Sequence, residues 1–119
     1  MSSRTKELIG FGEDREAIPL LPRDVICFFV EDGRVFALTE WGRLRMRERL
    51  YEIEKTADVG FVKINQSCLA NISKIMRFDA SVMGTLTVTF KNGYRDYVSR
   101  RQMKLVKERL GISNKRSKK

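Results

Sequence analysis

The stretch VICFFVEDGRVFALT, residues 25–39, predicts a β-hairpin. Two runs rich in β-branched and aromatic side chains, residues 25–30 and 34–39, lie on either side of Asp32-Gly33. An Asp-Gly pair readily supplies the positive φ angles of a tight hairpin turn. We therefore expect the two strands to pair in antiparallel fashion.

Two more hairpins are expected beside this one. In residues 86–91, LTVTFK, strand alternation turns the apolar side chains Leu86, Val88 and Phe90 toward a core and the polar side chains Thr87, Thr89 and Lys91 toward water. Asn92-Gly93 then closes a hairpin onto residues 94–98. Residues 8–11 and 16–20 form a weaker opening hairpin.

Short helices complete the predicted fold. Met46, Leu50 and Ile53 recur at helical spacing, which predicts an amphipathic helix over residues 47–56. A second helix is expected over residues 100–110, with Ser99 as its cap and Gly111 as its end. The predicted fold class is therefore mostly β, with small antiparallel sheets and one or two short helices.

The charge of the chain favours a polyanionic partner. The 119 residues suit one domain and carry a formal net charge of +9, and residues 100–119 hold nine basic residues and one acidic residue. Such a cluster binds phosphates with strong dependence on salt, although a solvated helix face with a soluble tail has the same composition. We expect a lead-in strand in residues 1–15, a domain over residues 16–112 and a disordered basic tail over residues 113–119.

Catalytic and metal-binding classes lack the necessary residues. The chain has no His, and its two cysteines, Cys27 and Cys68, are isolated in apolar runs. Neither a Gly-rich phosphate loop nor a G-x-S-x-G nucleophile turn occurs. The longest apolar run, residues 25–30, is far shorter than the roughly 20 residues of a membrane helix. We predict a cytoplasmic protein that is not an enzyme and has no cofactor, no metal and no small-molecule substrate.

Two segments carry side chains suited to DNA: FVKINQSCLANI, residues 61–72, and NGYRDYVSRR, residues 92–101. Asn and Gln can bond adenine edges, Arg can bond guanine, and Lys or Arg can hold phosphates. Alternation places Lys63 and Asn65 on one strand face, with Gln66 at the start of the turn, so an exposed polar tip is expected. Arg100 and Arg101 oppose the helix dipole in the first turn of the second helix, which favours a functional role for them.

Other interpretations of these residues remain open. Asn65 and Asn71 suit left-handed turn positions, and Ser67 suits a hydrogen bond to a neighbouring backbone group. Tyr94 and Tyr97 could stack on the bases of a single strand or pack across a hairpin. A single-stranded nucleic-acid or RNA-binding module and a protein-interaction domain are therefore the alternative functions.

The two segments, in this order, resemble the signature of the LytTR family of bacterial DNA-binding domains, and the resemblance spans residues 16–111. It implies a mostly β fold whose loops contact successive major grooves of double-stranded DNA. By position, the implied contacts fall on Gln66 beside Asn65, on Arg101 beside Arg100, and on Arg34 after the first core hairpin. With the phosphate-holding candidates, the predicted DNA-binding set is Arg34, Lys63, Asn65, Gln66, Ser67, Arg100 and Arg101.

The resemblance also implies a biological role. Family members are transcription regulators that bind imperfect direct repeats as pairs, usually behind a receiver domain. Because residues 1–15 cannot contain a receiver, the chain is expected to be a stand-alone member or an excised domain. A homodimer on DNA and a small membrane protein as regulator are the further partners that the resemblance implies.

Overall fold

A computed structural model describes residues 8–56, 60–80 and 84–111. The strands are β1 (Leu8–Phe11), β2 (Ala17–Leu20), β3 (Val25–Glu31), β4 (Arg34–Thr39), β5 (Gly42–Met46), β6 (Phe61–Asn65), β7 (Cys68–Asn71), β8 (Ile75–Ala80), β9 (Leu86–Phe90) and β10 (Arg95–Val98). The helices are α1 (Leu50–Thr56) and α2 (Arg100–Leu110), and short 3-10 turns occupy Pro22–Asp24 and Ile72–Lys74.

The strands form two antiparallel sheets. The large sheet has the order β2-β1-β5-β4-β3-β7-β6, and the small sheet has the order β10-β9-β8. The prediction of a mostly β fold with small antiparallel sheets is confirmed.

The predicted central hairpin is formed by β3 and β4. Phe28 pairs with Ala37 and Phe29 with Phe36 across the antiparallel ladder. The turn residues Asp32 and Gly33 have φ angles of 54° and 76°. Because both angles are positive, the turn matches the twist of the strands that it joins. The opening hairpin β1–β2 and the hairpin β9–β10 are confirmed as well.

The large sheet is covered on both faces at its strands β3, β6 and β7. On one face, α1 and the apolar side chains of the opening hairpin pack on Phe28, Leu69 and their neighbours. On the other face, the small sheet and α2 pack on Cys27, Val62 and Ile64, with Val88 and Val106 at the centre of this second core. The strands β3, β6 and β7 are therefore buried between two layers.

The predicted first helix begins too early. Met46 is the last residue of β5, where it pairs with Val35, and α1 begins at Leu50. The apolar positions were correctly expected to be buried, but Met46 reaches the core from a strand. Strands β5, β7 and β8 were not predicted.

Two local expectations of the sequence are wrong. Thr89, expected to face water, is only 5% exposed, and its hydroxyl has no hydrogen-bond partner among the described residues. It lies on the middle strand of the small sheet, between Arg77 and Arg95 on the neighbouring strands. Ser99 occupies the N-cap position of α2 with an extended backbone, yet its side chain makes no capping bond.

The second helix otherwise follows the prediction. It spans Arg100–Leu110 and ends at Gly111, whose φ of 72° lies in the left-handed region. Met103, Val106 and Leu110 pack against the second core. The expected basic tail, residues 113–119, and the first seven residues of the lead-in segment lie outside the described residues.

Candidate nucleic-acid interface

The three predicted contact segments lie at one end of the strands of the large sheet. They are residues 31–34, residues 65–67 and residues 99–101. We call them together the contact edge. The antiparallel register places the end of β3, the start of β4 and the β6–β7 turn side by side. The amide of Val30 donates to the carbonyl oxygen of Ser67 at 2.9 Å. The amide of Ser99 donates to the carbonyl oxygen of Ile64 at 2.8 Å. Backbone bonds therefore tie the three segments together.

Asn65 is the internal support of this edge. It is only 1% exposed, so the expectation that it lies at an exposed tip is wrong. Its Nδ2 donates to the Tyr97 carbonyl at 2.8 Å and to Asp96 Oδ1 at 3.3 Å. Its Oδ1 accepts from the Ser67 amide at 2.7 Å. The second layer covers this end of β6, so the polar side chain is buried and hydrogen-bonded, as buried amides must be.

The other predicted contact residues are accessible. Arg34, Gln66, Ser67, Arg100 and Arg101 are exposed, whereas Lys63 is half-buried on β6. The alternation predicted along β6 is confirmed for Val62 and Ile64, which face the second core. It is wrong for Asn65, because a bulge between Lys63 and Asn65 pairs this residue with Cys68 on the same face. The structure thus brings exposed side chains from all three segments to the contact edge and withdraws Asn65 from its surface.

Asn71 and Ser67 differ in how they are held. Asn71 is buried, and its Nδ2 donates to the Val25 carbonyl at 2.7 Å while its Oδ1 accepts from Ser73. It therefore joins β7 to the start of β3. The expected left-handed turn conformation is wrong for Asn71, whose φ is −80°, and also for Asn65. Ser67 is fixed by its main chain, and within the described part of the chain its hydroxyl makes no hydrogen bond.

The tyrosines have different environments. The Tyr94 ring stacks on Phe29 with the ring centres 5.8 Å apart and contacts Phe90 at 5.9 Å. Burial, followed by the nearby Asp96 carboxylate, raises the pKa of Tyr94 above its usual value. Tyr97 is 53% exposed on the outer face of the small sheet. Of these two tyrosines, Tyr97 alone is open to a base, and the packing interpretation holds for Tyr94.

A row of arginines on and beyond β5 was missed by sequence reasoning. The sequence GRLRMRER, residues 42–49, alternates arginine with another residue type. Leu44 and Met46 pack toward the first core, so Arg43 and Arg45 lie on the opposite sheet face. Arg43 pairs with Glu31 at 2.9 Å and lies over the Phe36 ring at 4.6 Å. The period of two was the available signal, but it was interpreted as the start of a helix.

Over residues 8–56, 60–80 and 84–111, no group of three or more His, Cys, Asp or Glu side chains could hold a metal ion. Neither helix in these ranges has the length and apolar character needed to cross a membrane.

Comparison with known proteins identifies the family. The model of the LytTr DNA-binding domain matches residues 15–111. Staphylococcus aureus proteins from strains NCTC 8325 and MRSA252, both named as uncharacterized HTH-type transcriptional regulators, are 32% identical over 109 residues, covering 92% of this chain and 74% of theirs. A solved LytTr DNA-binding domain from Bacillus cereus superposes with a TM-score of 0.81 at 20% identity, covering 89% of this chain and 98% of that one. The chain belongs to the LytTR family of DNA-binding domains.

Proposed function

We propose that this domain binds double-stranded DNA in a sequence-selective manner and regulates transcription in the bacterial cytoplasm. The observation that carries the proposal is the contact edge, where three segments distant in sequence are joined by backbone hydrogen bonds and present exposed polar side chains. A rigid edge of this kind can hold several side chains at fixed spacing against a groove, and fixed spacing is what base readout requires.

Each segment has a proposed task. Gln66 reads adenine, while Arg101, with Arg100 beside it, reads guanine in a major groove. Arg34 contacts the duplex from the β3–β4 turn. Lys63 and Ser67 contact phosphates, which fix the orientation of the protein without choosing a sequence. Asn65 contacts no DNA in this proposal, because its side chain is fully used in holding the edge together.

The aromatic residues argue against a single-stranded site. Proteins that bind single strands stack successive bases on exposed aromatic rings. The Tyr94 ring is occupied by Phe29 and Phe90, so Tyr97 is left alone on the outer face of the small sheet. The other exposed aromatic rings among the described residues, Trp41 and Tyr51, belong to the β4–β5 turn and to α1. The exposed rings are thus spread over three elements and do not line one platform for consecutive bases.

Selection from a random duplex library tests the proposal. The full chain is incubated with duplexes carrying a random 30-base-pair core, and bound molecules are amplified and sequenced over several rounds. We expect a recurrent motif, bound more tightly as a duplex than as either single strand or as RNA of the same sequence. Failure to enrich any motif, or equal binding of the duplex and its single strands, would overturn the proposal.

Binding in pairs is also part of the proposal. If two copies occupy imperfect direct repeats, the enriched motif contains two similar half-sites and the complex contains two chains per duplex. Analytical ultracentrifugation of the complex measures this stoichiometry. A single half-site bound by one chain would restrict the proposal to a monomeric reader.

A further inference from the structure

Next to the contact edge lies a cleft of about 940 Å³ with a strongly positive lining. We call it the arginine cleft. Its charged lining comprises two acidic side chains, Glu13 and Glu48, and six basic ones, Arg15, Arg34, Arg43, Arg45, Arg47 and Arg49. Phe11 and Phe36 contribute its apolar surface. The lining therefore has a formal charge of +4.

The fold leaves this region of the sheet uncovered. The second core takes residues from β3, β4, β6 and β7, but among the described residues none from β5. On the sheet face that carries the second core, β5 is therefore left open. Because side chains alternate along β5, the ones on this open face are arginines. Extending the register of Val35 and Met46 by one residue sets Arg34 opposite Arg47.

The domain gains little from these charges itself. Arg43 alone among the six has an ion pair with a described residue, to Glu31 at 2.9 Å. Arg47 lies over the Phe11 ring at 4.6 Å, an attraction that leaves its charge uncompensated. Like charges that lie close together repel each other, so the arrangement is unfavourable for the isolated domain. An anion in the cleft would remove that cost.

Arg15 adds a second unfavourable feature. Its φ of 66° lies in the left-handed region, where glycine is the favoured residue and a long side chain is uncommon. The tight turn is closed by the Arg15 amide, which donates to the Gly12 carbonyl at 3.0 Å. A glycine would satisfy the same turn, so the backbone does not account for the arginine that lines the cleft.

We propose that the arginine cleft binds the phosphodiester backbone of duplex DNA beside the bases read by the contact edge. This proposal rests on the proposed function. Gly33 and Arg34 line the cleft and belong to the contact edge, so the two surfaces adjoin and one duplex can span both. Contacts to phosphates are independent of sequence, and each neutralised phosphate releases counterions. The cleft thus supplies salt-dependent affinity and orientation, while the choice of sequence stays with the contact edge.

The test compares charge removal inside and outside the cleft. Arg15→Gly/Arg49→Gln removes two cleft charges, and Arg23→Gln/Lys55→Gln removes two exposed charges outside it, one from the turn before β3 and one from α1 on the other side of the sheet. Each protein is titrated with the enriched duplex and with a scrambled duplex at several salt concentrations. We expect the cleft variant to lose up to about 0.9 of log-log slope per lost phosphate contact, on both duplexes and with its sequence preference retained. The control pair should keep the parental slope.

A variant that makes the cleft more positive should have the opposite effect. Glu48→Gln removes a negative charge from the lining, so binding of both duplexes should become tighter. If the cleft variant keeps the parental slope while the parent binds its enriched duplex, the cleft proposal is wrong and the proposed function stands. If no duplex is enriched, the proposed function fails first. The last measurement is thermal melting of the parent and the cleft variant in inorganic phosphate. If phosphate raises the Tm of the parent but not of the cleft variant, and the salt dependence of DNA binding is the same for both, the cleft binds a free anion. That result would overturn the proposal.

Discussion

The side-chain amide of Asn65 donates a 2.8 Å hydrogen bond to the main-chain carbonyl of Tyr97, across 32 residues of sequence. The same side chain accepts from the Ser67 amide. One buried residue therefore connects the turn that carries Gln66 with the strand that leads into Arg100 and Arg101. Because the side chain is 1% exposed, water cannot replace these bonds when it is removed.

Asn65→Ala should lower the free energy of unfolding by about 1–3 kcal/mol, the cost of leaving buried polar groups without partners. Urea denaturation measures the loss. Gln66→Ala is the matched control, since it changes the neighbouring exposed residue and should leave stability unchanged. Asn65→Asp should also destabilise, because a carboxylate cannot donate to Tyr97 and repels Asp96. A stable Asn65→Ala protein would show that the edge is held by other contacts.

Ser99 is held through its amide. Ser99→Ala should cost much less than the typical 1 kcal/mol of a lost N-cap, since the hydroxyl makes no capping bond. Ser99→Pro removes the amide that donates to Ile64 at 2.8 Å. The native φ of −71° suits proline. The lost hydrogen bond should cost about 0.5–1.5 kcal/mol, and the restricted unfolded chain offsets part of this cost. Chemical denaturation of both variants measures the two losses of stability. If Ser99→Ala were the more destabilising variant, the Ser99 hydroxyl would be a helix cap after all.

The elements that the sequence predicts correctly depend on neighbouring residues, whereas those it misses depend on contacts between distant segments. The central hairpin, with Asp32-Gly33, and helix α2, ended by Gly111, depend on local rules of turn and helix geometry, and both are confirmed. Helix α1 was extended too far because Met46 fits a helical stripe as well as a strand. What decides in favour of the strand is the pairing of Met46 with Val35, a contact between chain segments.

The candidate site shows the same division. The resemblance to the LytTR signature selected Gln66, Arg101 and Arg34 by position, and all three are exposed. Alternation along β6 placed Val62 and Ile64 correctly, but a bulge between Lys63 and Asn65 pairs Asn65 with Cys68 on the face that the small sheet covers. A bulge and the layer above it depend on contacts that one strand does not reveal. The arginine cleft was missed for a related reason: residues 1–99 have almost no net charge, so a local concentration of arginine is hidden in the total.

The buried hydroxyl of Thr89 predicts a stabilising substitution. Thr89→Val replaces a hydroxyl that has no partner among the described residues with a methyl group of similar size, and valine favours strands. Removing an unsatisfied buried group should raise the free energy of unfolding by about 1 kcal/mol. Thr87→Val, on the same strand at a half-buried position, is the control and should have a smaller effect. Equal or lower stability of Thr89→Val in urea denaturation would show that the hydroxyl is satisfied in solution.

Cys68 makes stability fall with rising pH. A hydrogen bond with Cys27, followed by burial, raises the pKa of the Cys68 thiol well above its usual value. The folded chain therefore keeps the proton at a pH where the unfolded chain loses it. The contribution of this proton to the free energy of unfolding is fully present below the pKa of the unfolded thiol, about 8.5. It is lost as the pH rises above that value. Urea denaturation between pH 7 and pH 9.5 should show the decrease, and Cys68→Ala should reduce its slope. Parallel pH curves for the two proteins would contradict the assignment.

Arg101→Ala separates recognition from folding. Arg101 is exposed in the first turn of α2, where its positive charge opposes the helix dipole, so its removal should leave Tm unchanged or slightly higher. If it reads a guanine, the enriched duplex should be bound more weakly by about 1–3 kcal/mol, and preference should relax at that base. Binding titrations with the enriched duplex and with its single-base variants measure both effects. Arg23→Ala, an exposed arginine in the turn before β3, is the control and should change neither. Parental affinity in Arg101→Ala would remove this residue from the readout, whereas a large drop in Tm would assign it to the fold.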